Sequence, residues 1–368
     1  MTSFAPVAVC VGESMVTLLP QRPGPLEDVE LFRRGVGGAE SNTAGALAAL
    51  GVPTAWVSRV GADGFGRLLR AEIAARGVDV SGVEVDPQRP TGLYVKEIGG
   101  DTGSVHDLGS GRSALHYYRS ASAASALEPA TLALPAVAAL FASARLVHLS
   151  GITAALGQAS GADGGRALVQ AILDRRRPGQ LVSFDLNWRP ALWRRPEGSG
   201  AVEPAEVLAG LADQADVVFL GGDEAEVLFG TADPQRLRAL LPGPRVLVVK
   251  NAEYGVCAFD GDAEVTEPAL RVAVVEPIGA GDAFAAGYLA GLLRGHDQRR
   301  RLRLGHICAA SALMVAHDHA APPPPEELAR LLECTPAQWS GLRACAGTIT
   351  GVAAAGRTAT PARAEAES

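Results

Sequence analysis

The residue best suited to do chemistry is Asp282, which follows Gly279, Ala280 and Gly281 in the stretch EPIGAGDAFAAGYLAGLL (276–293). Pro277 ends the strand-like run RVAVVE before it, because proline has no N–H to give a ladder. Three small residues let the backbone come close to a ligand, and the apolar run 283–293 reads as a buried helix. The first N–H groups of a helix have no internal partner and lie at the positive end of its dipole, so this turn is a ready phosphate site. A carboxylate beside a bound phosphate can take the proton of an attacking hydroxyl during phosphoryl transfer. The plainer reading of the same residues is an N-cap aspartate after a tight turn.

The elements that would position Asp282 alternate along the chain. PVAVCV (6–11) reads as a buried first strand whose end presents Gly12, Glu13 and Ser14. GVGGAESN (35–42) leads into an Ala-rich helix stopped by Gly51. Glu40 reads there as a capping and dipole residue, while Asn42 with Gly38 can face a polyol. AWVSRV (55–60), RLVHLSG (145–151), QLVSFDLNWRP (180–190), DVVFLGG (216–222) and the start of RVLVVKNAEYGVCAF (245–259) are further strands, and Asp63 is a turn and cap residue. Ligands of open parallel sheets bind beyond the carboxyl ends of the strands, which is where Arg189 falls. Glu224 and Glu226 start a helix, and Glu224 is also a candidate for ordering Mg²⁺ through water. Strands alternating with helices imply an α/β sheet covered on both faces.

Two stretches, 15–34 and 89–122, break this rhythm, and they most simply join into one small sheet over the site. In the second, TGLYVKEI and ALHYYRS are strand-like runs joined by a Gly-rich connector. Period-two geometry puts Gly92, Tyr94 and Lys96 on one side, and Tyr117 with Arg119 together, opposite Tyr118. Tyrosines beside an arginine suit a polar, anionic small molecule; an ordinary hairpin with exposed aromatics is the plainer alternative.

Composition narrows the class. The 368 residues are 48% apolar and 20% charged, enough for one large α/β domain with a small appendage. A net charge of −7 argues against nucleic acid or an anionic membrane as partner. Five scattered cysteines without a C-x-x-C pair fit reduced thiols, and the N-terminus lacks a basic, apolar leader, so a cytoplasmic protein is expected. The HDH triplet at 317–319 has no cysteine or further histidine near it and is not read as a metal site. From about Thr335 an Ala/Thr/Gly/Ser-rich tail is expected to be disordered.

These motifs in this order resemble the ribokinase (PfkB) family of sugar kinases over nearly the whole chain to about 334. The patterns that carry the resemblance are the glycine pair 37–38 with Asn42, RVGADGFG, and EPIGAGDAFAAG. Within the family, GGAESN, TGLYVKE, HYYRSASAASAL, HLSGITAAL, FDLNWRPALW and DEAEVLFG are most similar to 2-keto-3-deoxygluconate kinases.

The resemblance implies a three-layer sandwich with a central, mostly parallel sheet and a β-sheet lid. The core would comprise 1–14, 35–88 and 123–334, the lid 15–34 and 89–122, and 335–368 the tail. It implies ATP and Mg²⁺, with a monovalent cation as a further possibility, and a homo-oligomer. Asp282 would be the base, with the Gly279, Ala280 and Gly281 turn as the anion hole. Gly38, Asn42, Tyr94, Tyr117, Arg119 and Arg189 match positions that hold the sugar acid, and Lys250 and Gly255 join Gly279 and Gly281 on the nucleotide side. A carboxylate substrate suits the forked donors of Arg119 and Arg189. Phosphorylation is then expected on the 6-hydroxyl of 2-keto-3-deoxygluconate. The rivals are kinases for its galactonate epimer, fructose or ribose, or a non-catalytic binding relative. Gly221, Ala252 and His306 depart from the family pattern, all on the nucleotide side.

Overall fold

The computed structural model describes residues 6–194, 203–251, 254–315 and 321–351. In chain order the strands are β1 (Ala8–Val11), β2 (Met15–Pro20), β3 (Phe32–Gly37), β4 (Thr54–Gly61), β5 (Val83–Asp86), β6 (Leu93–Ile98), β7 (Ser113–Tyr118) and β8 (Leu146–Ser150). They continue as β9 (Leu181–Asp185), β10 (Val217–Gly221), β11 (Val246–Asn251), β12 (Gly255–Asp260), β13 (Ala263–Glu267), β14 (Arg271–Val272), β15 (Leu342–Cys345) and β16 (Thr348–Gly351).

Nine of them form one sheet in the order β13-β12-β11-β10-β9-β8-β1-β4-β5. It is parallel from β5 to β11, and β12 and β13 add on antiparallel. Successive side chains leave a strand on opposite faces, and both faces are apolar here. Val9 and Val11 of β1 enter one core cluster with Leu168, Ile172 and Leu208, while Ala8 and Cys10 enter the other with Leu47, Leu69 and Phe284. The helices carrying these residues lie on both faces, so the body is three-layered. The helix Ala280–Leu293 is apolar around most of its circumference and buried from Phe284 to Gly291, as its sequence demands.

The two stretches that break the α/β rhythm meet in one separate four-stranded sheet, β3-β2-β6-β7. β2 pairs in parallel with β6 through Val16, Thr17 and Leu18, and β6 pairs antiparallel with β7, placing Tyr94 opposite Tyr117. Among the described residues no helix is long and apolar enough to cross a membrane.

The expected disorder from 335 onward is corrected over the described part. Pro336–Ser340 is a helix with a Thr335–Gln338 capping box, and β15 and β16 form a hairpin whose inner strand pairs in parallel with β14. Composition misled because a few large residues do the anchoring. Trp339 is 1% exposed, packs with Ile307, Leu331, Leu342 and Ile349, and donates from Nε1 to Pro268 O at 2.9 Å. The Arg303 guanidinium lies 4.8 Å from its ring centre and pairs with Glu267. Trp339→Ala should therefore cost about 3–5 kcal/mol. Calorimetry would show this as a lower Tm; an unchanged Tm would mean the C-terminal hairpin is not anchored here. Residues 352–368, the HDH triplet and Ala252 lie outside the described residues.

Candidate active site

A cavity of about 350 Å³ opens between the carboxyl ends of β1, β9 and β11, the small sheet, and the start of the helix Ala280–Leu293. It lies where ligands of open α/β sheets bind. Its wall brings together Gly38, Asn42, Tyr94, Tyr117, Arg119, Arg189, Glu224, Lys250, Gly279, Gly281 and Asp282 from widely separated parts of the sequence. Ala280 is the first helical residue between the two glycines. Gly255 stands apart from this wall, opposite Asn251 in the β11–β12 hairpin.

Two glycines are fixed by geometry. Gly279 is the helix N-cap in the left-handed region, φ 83°, and has no side-chain cap, so the N–H groups of the first turn face the cavity unclaimed by a cap. Gly38 is extended, but a Cβ on it would lie 2.5 Å from Glu13 O and 2.6 Å from Ser14 Oγ. Only glycine lets the helix Ala39–Ala49 start against the end of β1.

Asp282 sits in the first turn, where the preceding glycines place it. Asn42 Nδ2 donates to its Oδ2 at 3.0 Å, and Thr43 Oγ1 donates to its carbonyl at 3.3 Å. Asn42 Oδ1 is buried with no protein partner, leaving an acceptor for a ligand hydroxyl. Burial in the cavity wall, with Asp185 and Glu40 nearby, pushes Asp282 up to about 7 against the Asn42 hydrogen bond and Lys250. A carboxylate poised near neutrality is suited to proton transfer.

Lys250 reaches over the same turn, since a Cβ on Gly281 would lie 3.5 Å from its Nζ. It pairs with Asp185 at 2.9 Å. Burial alone would lower the Lys250 ammonium, but Asp185 and Glu224 outweigh it and hold it above its ordinary range. Glu224 is pushed upward, by burial first and then by Asp185.

Both arginines are already engaged. Arg119, just past β7, is ion-paired with Glu13, and Arg189 pairs with Glu224 at 3.3 Å. The Glu13–Arg119 pair is buried, and Ser122 Oγ donates to Glu13 Oε1 at 2.5 Å. The Arg189 side chain is 46% exposed.

Glu13, Asp185 and Asn187 belong to the wall but were not assigned to the site from sequence. Their signal was position: each follows or ends a buried strand at its carboxyl end. Asn187 adopts φ 36° with its Oδ1 buried and unpartnered, a conformation tolerated by asparagine and frequent at ligand sites. Glu40 is no cap. It is fully buried, its carboxyl is held by the hydroxyls of Ser150, the last residue of β8, and of Thr153 just beyond it, and burial pushes it upward.

The departures on the nucleotide side resolve differently. Gly221 caps the helix Gly222–Phe229 ahead of Glu224. His306 is buried beside Phe284 and Trp339, its Nε2 3.2 Å from Glu267 O, and burial lowers it to about 4. It is a neutral core residue.

A model of the pfkB family carbohydrate kinases matches residues 6–325. The chain belongs to this family. It is 36% identical over 329 residues to a 2-dehydro-3-deoxygluconokinase of Thermoproteus tenax, covering 88% of this chain and 94% of the other. The Bacillus subtilis (strain 168) 2-dehydro-3-deoxygluconokinase is 34% identical over 88% of this chain and 95% of its own. A solved fructokinase with bound ATP from Xylella fastidiosa is 26% identical, with TM-score 0.70, and covers 89% of this chain and 98% of its own. The PfkB chain described here is thus a sugar kinase, a phosphotransferase with the ribokinase-type fold.

Proposed function

We propose that this kinase transfers the γ-phosphate of ATP to the 6-hydroxyl of 2-keto-3-deoxygluconate. The observation that carries the reading is that one cavity holds Asp282, the uncapped helix start and two arginines. The Asp282 carboxylate takes the proton of the terminal hydroxyl as its oxygen attacks phosphorus, and ADP leaves. The first-turn amides and the Lys250 ammonium lie where negative charge collects on the phosphate, and they stabilise it. Asn42 orients Asp282 and accepts from a sugar hydroxyl through its open Oδ1. Gly38 presents its backbone to the sugar, Tyr94 and Tyr117 cover it from the small sheet as a lid, and Arg119 and Arg189 meet its carboxylate.

The nucleotide phosphates fit the first turn and Lys250, because both present N–H donors and positive charge. Mg²⁺ fits the oxygen donors of Glu224 and Asp185. Among the described residues no group of three or more His, Cys, Asp or Glu could hold a metal ion, so the protein would supply one or two oxygens, directly or through water, and the phosphates and water the rest. When bound, Mg²⁺ neutralises charge on the phosphates.

A second reading, a kinase for a neutral sugar such as fructose, is favoured by one observation: Glu13 and Glu224 already neutralise both arginines. The test is ATP-dependent phosphorylation of 2-keto-3-deoxygluconate, its galactonate epimer, gluconate, fructose and ribose. Turnover confined to the keto-deoxy acids is expected. Preference for fructose or ribose would overturn the substrate assignment while keeping the base, and phosphate on a different hydroxyl would overturn the position.

A further inference from the structure

The geometry points to Lys96 as a positioning residue that completes the anion hole from the small sheet. Tyr94 and Lys96 leave β6 on the same face. Tyr94 turns onto the cavity wall; Lys96, buried, turns onto Glu276 and forms an ion pair with its Oε2. The two residues are 180 positions apart in sequence and belong to different layers of the molecule. Glu276 opens the turn that ends at Gly279, and its other oxygen, Oε1, accepts from the Ile278 N–H at 3.4 Å. One carboxylate thereby ties the small sheet to the backbone that presents the first-turn amides.

The charge arithmetic makes this pair more than a brace. Glu276 stands three residues before the helix N-cap, close to where phosphate charge arrives. Unpaired, its carboxylate, only 16% exposed, would oppose that charge with reduced solvent screening. Paired with Lys96, it can hold the turn while adding no net charge. Because Lys96 comes from the sheet that carries Tyr94 and Tyr117, the phosphate end of the site is complete only when that sheet sits over the sugar end. The seating of the small sheet and phosphoryl transfer are then coupled through one ion pair.

This rests on the phosphotransfer reading above, and its test separates the two. Steady-state kinetics would compare wild type with Lys96→Met, Glu276→Gln, Lys96→Arg and the double variant Lys96→Met/Glu276→Gln, using the sugar that the wild type phosphorylates best. Lys96→Met should lower kcat about 10–100-fold, the scale of a misplaced or weakened anion hole, with the sugar KM within about threefold. Lys96→Arg should recover most of that loss. The double variant should be no slower than Lys96→Met alone, the non-additivity expected of partners. A raised sugar KM at unchanged kcat would reduce the pair to structure, and effects that multiply would show two independent residues. Either result overturns the inference. If Lys96→Met fails to fold, as near-UV circular dichroism would show, Glu276→Gln decides alone: kcat must fall while KM holds. A wild type inactive on every sugar would instead overturn the phosphotransfer reading itself.

Discussion

Asp282→Asn is expected to lower phosphoryl transfer by about 10²–10⁴-fold, the range for loss of a positioned general base, with ATP affinity within about threefold of wild type. Asparagine keeps the size of the side chain and a hydrogen-bonding partner for Asn42, so the first turn should survive the change. The pH profile makes the assignment specific. The active form is the carboxylate, and burial pushes Asp282 up to about 7 in the free protein, so wild-type kcat/KM should rise with pH through about 7 and then level off. The variant should lose that limb. Stability should move the opposite way. A carboxyl whose folded pKa is raised gives its full contribution only below the ordinary carboxylate range, and loses it as pH rises through about 7. At pH 8 the neutral Asn variant should therefore melt above wild type, because it no longer buries a charge, and one close to Asp185 and Glu40. A variant that keeps near-normal turnover, with the limb intact, would place the base elsewhere.

What the sequence could and could not reveal follows from the range of the interactions. Asp282 was legible because a glycine turn opening an apolar helix is a local pattern, and local sterics fix its geometry. The alternation of strand and helix likewise exposes the three-layered body, and period two alone puts Tyr94 and Lys96 on one side. The partners of these residues were not legible. Glu13 reaches Arg119, Asp185 reaches Lys250 and Glu276 reaches Lys96 across 65 to 180 positions, and no periodicity spans such distances. Glu40 looked like a dipole residue because its helix position allows it, but the end of β8 closes over its carboxyl. The C-terminal hairpin was hidden by composition: Trp339, Leu342 and Ile349 are few, yet they share one cluster.

Arg119 should decide between an acid and a neutral substrate, but its single replacement is a poor test. The side chains of Arg119 and Glu13 are 7% and 0% exposed, so Arg119→Met leaves a buried carboxylate without its cation. Breaking such a pair costs about 3–5 kcal/mol, and any kinetic loss would then be mixed with a damaged wall. Replacing both members avoids this. Glu13→Gln/Arg119→Met removes the charge from each side, keeps similar volumes, and lets Ser122 bond to the glutamine oxygen as it does to Glu13. Its Tm should fall far less than that of Arg119→Met. A charge-assisted guanidinium–carboxylate contact contributes about 1.5–3 kcal/mol, so losing it should raise the KM for 2-keto-3-deoxygluconate about 10–150-fold. The KM for fructose or ribose should change by less than about threefold, since a neutral sugar makes no such contact. Arg189→Met provides the contrast: its own side chain is 46% exposed, solvent already screens it, and a smaller rise in KM is expected. Equal changes in KM for acid and neutral sugars in the double variant would mean that Arg119 serves Glu13 and the wall alone. The engaged arginines would then mark a neutral-sugar kinase, and the resemblance to the sugar-acid kinases would reflect shared descent without shared substrate.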